Sequence, residues 1–137
     1  MPFASTFGEG MCFAFPDVCN TPTPAGPIPI PYPNIASLMM ANPETCSMKV
    51  FITAMPAATV ETEILLSEGD DAGTAGGLIS GVFSGPCKFT LGSAVVFIEG
   101  NPAVFMGSLI GQNGVSSANM PMGSQIAPSQ VLVQVAP

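Results

Sequence analysis

A chain of 137 residues has the length of a single domain with a modest core. It has nine acidic side chains and only two basic ones, Lys49 and Lys88, and this formal charge of -7 excludes nucleic-acid binding because phosphates would meet almost no cations. The chain contains no histidine, which excludes Ser–His and Cys–His nucleophilic catalysis, and we expect no enzymatic activity.

The hydropathy pattern has two interpretations. Hydrophobic residues make up 47% of the chain and charged residues only 8%, which indicates either a surface covered by a partner or a glycine-rich β domain. The most apolar stretch, residues 78–98, is interrupted by glycines, Pro86 and Lys88, so we predict strand–turn–strand there and no stable membrane insertion. No signal peptide is recognisable at the N-terminus. We therefore expect cytoplasmic synthesis with reduced cysteines.

A proline-rich segment occupies residues 13–34. Seven prolines fall between Pro16 and Pro33, and Ile28, Ile30 and Tyr32 alternate with the last of them. Because proline fixes φ and lacks an amide donor, the segment can be neither a helix interior nor a central strand. We predict a stiff extended strut close to polyproline II. The residues that follow it, 35–40, are compatible with a helical turn.

A β-hairpin region is predicted over residues 49–106, and a C-terminal loop and strand over residues 107–137. Strands are expected at 49–54, 59–65, 87–91, 94–98, 103–106 and 131–135, with a loop at 111–123. Glycines and the acids Glu68, Asp70 and Asp71 fill residues 67–77, which predicts a solvated turn or, as the alternative, a calcium site. Short strands separated by turn residues indicate one all-β domain spanning 1–137.

Four cysteines are the only soft metal ligands: Cys12, Cys19, Cys46 and Cys87. Their spacing contains no C-x-x-C pair. Three interpretations stay open: buried free thiols that pack as small hydrophobic groups, a zinc site that uses two or more of them, and disulfides.

Three stretches resemble one known family. The order of residues 14–36, AFPDVCNTPTPAGPIPIPYPNIA, resembles the signature of the PAAR-like family called DUF4150, and residues 67–77 and 92–103 resemble it as well. The resemblance covers about residues 3–115. It implies a small conical β-structure, a structural protein that caps the trimeric VgrG-type spike of a type VI secretion system or a related contractile injection apparatus. It also implies delivery outside the cell or into a target cell. The alternative is an effector-loading adaptor whose main role is to bind a separate toxin.

The same resemblance raises the question of a metal. PAAR-type proteins typically hold zinc near the point through histidines and a cysteine, but Gln112 and Asn113 stand here where a histidine would be expected. Cys19 matches the family's Asp-Val-Cys cysteine and Cys12 lies seven residues before it, so these two are the candidate zinc ligands. The other expectation is a point without any cofactor, held by packing and turn hydrogen bonds.

Overall fold

The computed structural model describes residues 1–115 and 117–137, and its architecture is all-β, as predicted. Two 3-10 helices, Leu38–Met40 and Pro43–Thr45, are the only helical elements in these residues, and neither is long or apolar enough to cross a bilayer. The strands in chain order are β1 Met11–Thr21, β2 Ile28–Ser37, β3 Phe51–Ile52, β4 Met55–Pro56, β5 Glu63–Ile64, β6 Gly76–Gly77, β7 Cys87–Phe89, β8 Phe97–Ile98, β9 Asn101–Pro102, β10 Leu109–Gln112 and β11 Met120–Ala127.

Seven strands form one antiparallel sheet in the order β2-β1-β11-β10-β7-β5, and β6 pairs with β1 beside it. The remaining strands form two separate hairpins, β3–β4 and β8–β9. Neighbours in the large sheet are far apart in sequence, since β1 lies against β11. Closing the sheet therefore brings both halves of the chain together.

The proline-rich segment forms the long β1–β2 hairpin, paired from Met11 opposite Ser37 to Thr21 opposite Ile28. It is extended, as predicted, but the exclusion of a central strand was wrong, because β1 lies between β2 and β11. Pro16 is accommodated at a register shift between Ala14 and Asp17, where the ladder is already interrupted. The prolines of β2 lie on the end strand of the sheet, where amide donors are least needed.

Several predicted strands are shorter or displaced. The strand expected at 59–65 is reduced to β5, because the Thr62 amide donates to the Thr59 carbonyl at 3.0 Å and the Thr59 amide donates to Thr62 Oγ1 at 2.9 Å, which makes a tight turn. The loop expected at 111–123 contains the end of β10 and the start of β11, and Ser116 within it lies outside the described residues. The predicted helical turn appears as the 3-10 helix Leu38–Met40.

Two apolar cores lie within the fold. The larger packs large side chains such as Leu38, Phe89 and Ile110 with three of the cysteines, Cys12, Cys46 and Cys87. The smaller consists of three alanines, three branched residues and two half-buried neighbours: Ala4, Ala57, Ala103, Ile52, Ile98, Val135, Val96 and Phe105. All four cysteines are free and buried, so no disulfide joins them.

Candidate functional site

Three chain segments close into a ring around the smaller core. The Ser5 amide donates to the Val104 carbonyl at 3.0 Å, the Val104 amide to the Ala58 carbonyl at 3.4 Å, and the Ala58 amide to the Ser5 carbonyl at 2.9 Å. Each segment thus donates to one neighbour and accepts from the other. The three ring segments are residues 3–7, 56–60 and 102–106.

A second set of bonds repeats the same cycle in the opposite sense. These bonds run from Phe7 N to Pro56 O at 2.9 Å, from Val60 N to Pro102 O at 3.1 Å, and from Met106 N to Phe3 O at 2.8 Å. Three isolated bridges follow the cycle too, pairing Thr6 with Ala57, Thr59 with Ala103, and Ala4 with Phe105. Equivalent positions exchange equivalent bonds, so the ring has approximate threefold symmetry within one chain.

Hairpins form two of the three corners of this ring. In β3–β4 the turn residues Thr53 and Ala54 have φ of 50° and 66°, and in β8–β9 Glu99 and Gly100 have φ of 50° and 83°. Two consecutive positive φ values are the mark of a type I′ turn, whose twist matches that of the paired strands. The two hairpins therefore have the same construction.

The two ends of the chain build the third corner. Phe3 bridges to Gln134 as Pro56 pairs with Phe51 in the first hairpin. One bond recurs at all three corners with a length of 3.0 Å: Ala4 N to Val133 O, Ala57 N to Val50 O, and Ala103 N to Val96 O. Residues 2–4 and 133–135 thus take the place of a hairpin without a connecting turn.

At the start of each corner, a side-chain oxygen accepts a hydrogen bond from the backbone amide three residues later. Ser47 Oγ accepts from the Val50 amide at 3.0 Å, and Ser93 Oγ accepts from the Val96 amide at 2.9 Å. At the third corner Gln130 Oε1 takes the same role for the Val133 amide at 2.8 Å. Different residue types thus produce the same local geometry.

The outward side chains of the corners form an apolar surface, here called the three-cornered face and comprising residues 48–51, 94–97 and 131–134. Four of the five most exposed large hydrophobic residues lie on it or at its edge: Leu132 (80% exposed), Met1 (75%), Met48 (73%) and Val95 (67%). Phe51 and Phe97 occupy equivalent positions on it and are each 57% exposed. Exposed large apolar side chains grouped in this way are typical of an interaction surface.

A glutamate connects two corners at the edge of this face. Glu99 Oε2 accepts from Ser47 Oγ at 2.6 Å and from the Met48 amide at 3.0 Å. The Ser47 hydrogen bond is the main reason that the pKa of Glu99 lies below its usual value. The contact holds the turn of β8–β9 against the start of the first corner.

A repeat in the sequence could have indicated this arrangement. Val-Phe-Ile followed by Pro-Ala occurs at 50–57 and again at 96–103, 46 positions later. The repeat was missed because each copy was interpreted as a separate strand and turn. The third copy is not detectable in sequence, since the two chain ends supply it.

A buried polar cluster lies elsewhere, near the far end of the β1–β2 hairpin. Cys19 Sγ lies 3.6 Å from Asp17 Oδ1 and 3.7 Å from Asp70 Oδ2, and all three residues are buried. This is the single group of three or more His, Cys, Asp or Glu side chains within ligand distance in the described part of the chain. One of its members, Cys19, was predicted from sequence.

Three amides surround the Asp17 carboxylate. Asn113 Nδ2 donates to Asp17 Oδ1 at 3.2 Å, Asn119 Nδ2 donates to the same oxygen, and Asn34 Nδ2 donates to Oδ2 at 3.2 Å. Such donors replace the water that a buried carboxylate loses, and they reduce the cost of burying it. Gln112 in turn donates to Asn34 Oδ1 at 2.6 Å.

Burial and neighbouring acids suppress ionisation in the cluster. Burial, with Asp17 and Asp70 nearby, raises the pKa of the Cys19 thiol to about 12. Burial and a hydrogen bond with Asp17 raise the pKa of Asp70 to about 6. Cys19 is therefore a thiol, and Asp70 holds its proton more tightly than an exposed aspartate.

The structure does not bring the two candidate zinc ligands together. Cys12 packs in the larger core beside Cys87, while Cys19 lies seven residues further along β1, roughly 20 Å away at the rise of a strand. Nor do the acids of residues 67–77 form one site. Asp70 is fully buried, contrary to the predicted solvated turn, whereas Glu68 and Asp71 are exposed.

A family model matches most of the chain. Residues 10–121 match the family model described as Toxin PAAR-like domain. A search of curated proteins found no match. The matched range contains the polar cluster and the two hairpin corners, whereas the third corner lies outside it.

Proposed function

Because the chain belongs to the family of Toxin PAAR-like domains, we propose that it caps the trimeric VgrG-type spike of a type VI secretion or related contractile injection apparatus. The three-cornered face would sit on the blunt end of the spike, one chain per trimer. It would act as a structural part without catalytic activity, made in the cytoplasm and carried outward at the tip.

The symmetry of the face is the observation that carries this proposal. Because the same hydrogen bonds recur at three corners, the face matches the threefold symmetry of a trimeric spike, and each corner can meet an equivalent subunit. Two of the repeated corners present a phenylalanine at the same position, Phe51 and Phe97, so that two spike subunits would meet the same contact.

The chemistry of the face supports the same partner. The outward side chains are apolar apart from Lys49 and Gln134, and burying a phenylalanine contributes about 1.5–3 kcal/mol. The short strands at the corners also offer backbone edges that another β-structure can extend. A permanent partner would cover a surface that otherwise favours aggregation.

Replacing Phe51 and Phe97 together by serine tests the proposal. We expect binding to the trimeric spike protein of the same apparatus to weaken by about tenfold or more, because two apolar contacts are lost. Native mass spectrometry of the wild-type complex should give one chain per spike trimer, and biolayer interferometry should give the loss of affinity.

Phe83→Ser is the matched control, since Phe83 is an exposed phenylalanine outside the face. It should bind the spike as the wild type does. Equal binding by the Phe51→Ser/Phe97→Ser variant, or a complex with three chains per trimer, would contradict docking through this face.

Effector loading is the second candidate function, and the word toxin in the family description favours it. An adaptor of this kind would retain a separate toxin in a pull-down from the producing cell. If the toxin is recovered with wild type and no spike protein accompanies it, loading is the main role and capping is secondary.

A further inference from the structure

The resemblance to PAAR-type proteins implies a zinc ion, and the polar cluster around Asp17 contains Cys19, the cysteine that the resemblance assigns as a ligand. Whether these residues can bind zinc depends on which atoms they direct into the cluster. A cation needs lone pairs directed at it from several ligands, whereas N–H groups directed at the same place repel it.

Asn113 and Asn119 direct N–H groups into the cluster. Asn113 Oδ1 accepts from the Gly85 amide at 2.9 Å and its Nδ2 donates to the Val82 carbonyl at 2.9 Å. These two backbone partners fix which end of the amide is nitrogen. The second hydrogen of Nδ2 is left to point at Asp17 Oδ1.

Asn119 is oriented in the same manner. Its Oδ1 accepts from the Ile79 amide at 2.8 Å and its Nδ2 donates to the Val18 carbonyl at 2.9 Å. If either side-chain amide were rotated by half a turn, its oxygen would face a backbone carbonyl and its NH2 group would face a backbone N–H. Neither side chain can therefore present its oxygen to a cation at the cluster.

Gln112 and Asn113, which stand where a histidine is expected, both contribute to the hydrogen bonding of the Asp17 carboxylate. Asn113 donates to it directly. Gln112 donates to Asn34 Oδ1 at 2.6 Å and to the Asn34 carbonyl at 3.1 Å, which leaves Asn34 Nδ2 to donate to Asp17 Oδ2. Both residues thus contribute to the amide hydrogen bonds around the buried carboxylate.

The remaining members are no better suited to zinc. Cys19 Sγ is already a hydrogen-bond partner within the cluster, because it donates to Asp70 Oδ2 at 3.7 Å and accepts from Asn113 Nδ2 at 3.6 Å. One oxygen of Asp70 is already occupied, since Oδ1 accepts from the Ser84 amide at 2.9 Å. The donor set does not fit the group that the family implies.

We propose that a hydrogen-bonded knot centred on the Asp17 carboxylate replaces the zinc ion in this protein, with the amides of Asn34, Asn113 and Asn119 as its donors. Folding of the region around the Asp17 carboxylate then does not depend on a metal ion. The knot connects β1, β2 and the segments around residues 79–85 and 113–119 by side-chain hydrogen bonds alone.

Metal analysis of the wild-type protein tests this directly. Purified protein, saturated with zinc and then desalted, should retain far less than one zinc per chain by inductively coupled plasma mass spectrometry. Its thermal midpoint should be the same with and without a chelator, because removal of a structural zinc ion typically unfolds a small domain. One zinc per chain, or a midpoint lowered by chelation, would overturn the proposal.

Asn113→Asp distinguishes the two chemistries. The variant keeps the shape but replaces the N–H donor by a carboxylate facing Asp17, so we expect a lower urea midpoint that added zinc does not restore. A zinc site would instead gain a ligand and show a midpoint that rises with zinc. The response of the midpoint to zinc can be measured even if the variant is only partly folded. If the variant does not fold at all, the metal analysis of the wild-type protein tests the proposal.

Asn42→Asp is the matched control. The Asn42 side chain only accepts, from the Glu44 amide at 3.1 Å, and an aspartate accepts equally well. This variant should keep the wild-type midpoint. A loss as large as that of Asn113→Asp would mean that the exchange is harmful in general and would remove the support for the knot.

Discussion

At the scale of single residues, the Asp17 knot shows how a mostly apolar chain buries charge. Asp17 and Asp70 are both fully buried, and neither has a basic partner. The one ion pair in the described residues, Lys88 with Glu61 at 3.5 Å, lies at the surface. Amide donors therefore replace cations in compensating the buried acids, which suits a sequence with only two lysines.

Stability should depend on the protonation of Asp70. Its pKa is raised to about 6 in the folded protein by burial and by Asp17, against 3.8 for an ordinary aspartate. The folded state therefore binds the proton more tightly, and this contribution to stability is lost as the pH rises from about 4 to about 7. The groups that face Asp70 are Asp17 and Cys19, with Asp71 reached through Ser84.

Urea unfolding over that pH range measures the effect. Asp70→Asn should flatten the pH dependence of the unfolding midpoint, whereas Asp71→Asn, at an exposed acid beside it, should keep the wild-type profile. If Asp70→Asn follows the wild-type profile, Asp70 is not the group that titrates.

At the scale of elements, the two hairpin corners differ mainly in how well their turn residues tolerate the positive φ values of a type I′ turn. Both turns have positive φ at two positions, but Ala54 stands in β3–β4 where Gly100 stands in β8–β9. A residue with a Cβ in this region costs about 1–2 kcal/mol relative to glycine. The first hairpin therefore carries backbone strain that the second avoids.

Reciprocal exchange tests this difference. Ala54→Gly should stabilise the protein by about 1 kcal/mol, and Gly100→Ala should destabilise it by a similar amount. A Cβ on Gly100 would meet no atom within 4 Å, so the conformation alone decides the result.

The double variant is the control for this exchange. With both substitutions the urea midpoint should return close to the wild-type value, because the two turns are separate sites. Two single variants that shift the midpoint in the same direction would show that turn conformation is not the cause.

At the scale of the whole molecule, the ring closes only when both ends of the chain meet. Gln130 organises that third corner: its Nε2 donates to the Ala4 carbonyl at 2.9 Å and to the Val133 carbonyl at 2.7 Å. Its Oε1 accepts from the amides of Leu132 and Val133, each at 2.8 Å. One side chain thus makes four hydrogen bonds: three order the backbone of residues 132–133, and the bond to Ala4 joins the two ends of the chain.

Gln130→Ala should lower stability by about 2 kcal/mol, because it leaves several backbone groups without partners. Chemical denaturation measures the loss, and hydrogen exchange should show faster exchange of the Ala4 amide, which bonds to Val133. Gln134→Ala, at an exposed glutamine of the same corner, should be nearly neutral. Equal effects of the two variants would contradict this role of Gln130.

Much of the fold class was predictable from local pattern. Alternation, turn residues and proline spacing correctly indicated an all-β chain with an extended proline-rich segment. The same patterns failed for β11 and for the strand expected at 59–65. Pairing with distant partners creates β11, whereas the Thr59–Thr62 turn shortens the other strand. Of the candidate site residues, Cys19 lies in the polar cluster and Cys12 does not.

By itself, the sequence determined the family, through the residue order of the proline-rich segment. It also established that no histidine is present to act as a metal ligand or a catalytic base. Only the tertiary structure decided that Asp70 is buried, that Asn113 and Asn119 serve Asp17, and that the two chain ends complete a threefold face. The physical reason is distance along the chain. These contacts join residues about a hundred positions apart, such as Asp17 with Asn119, and local propensity carries no information about which of them will meet.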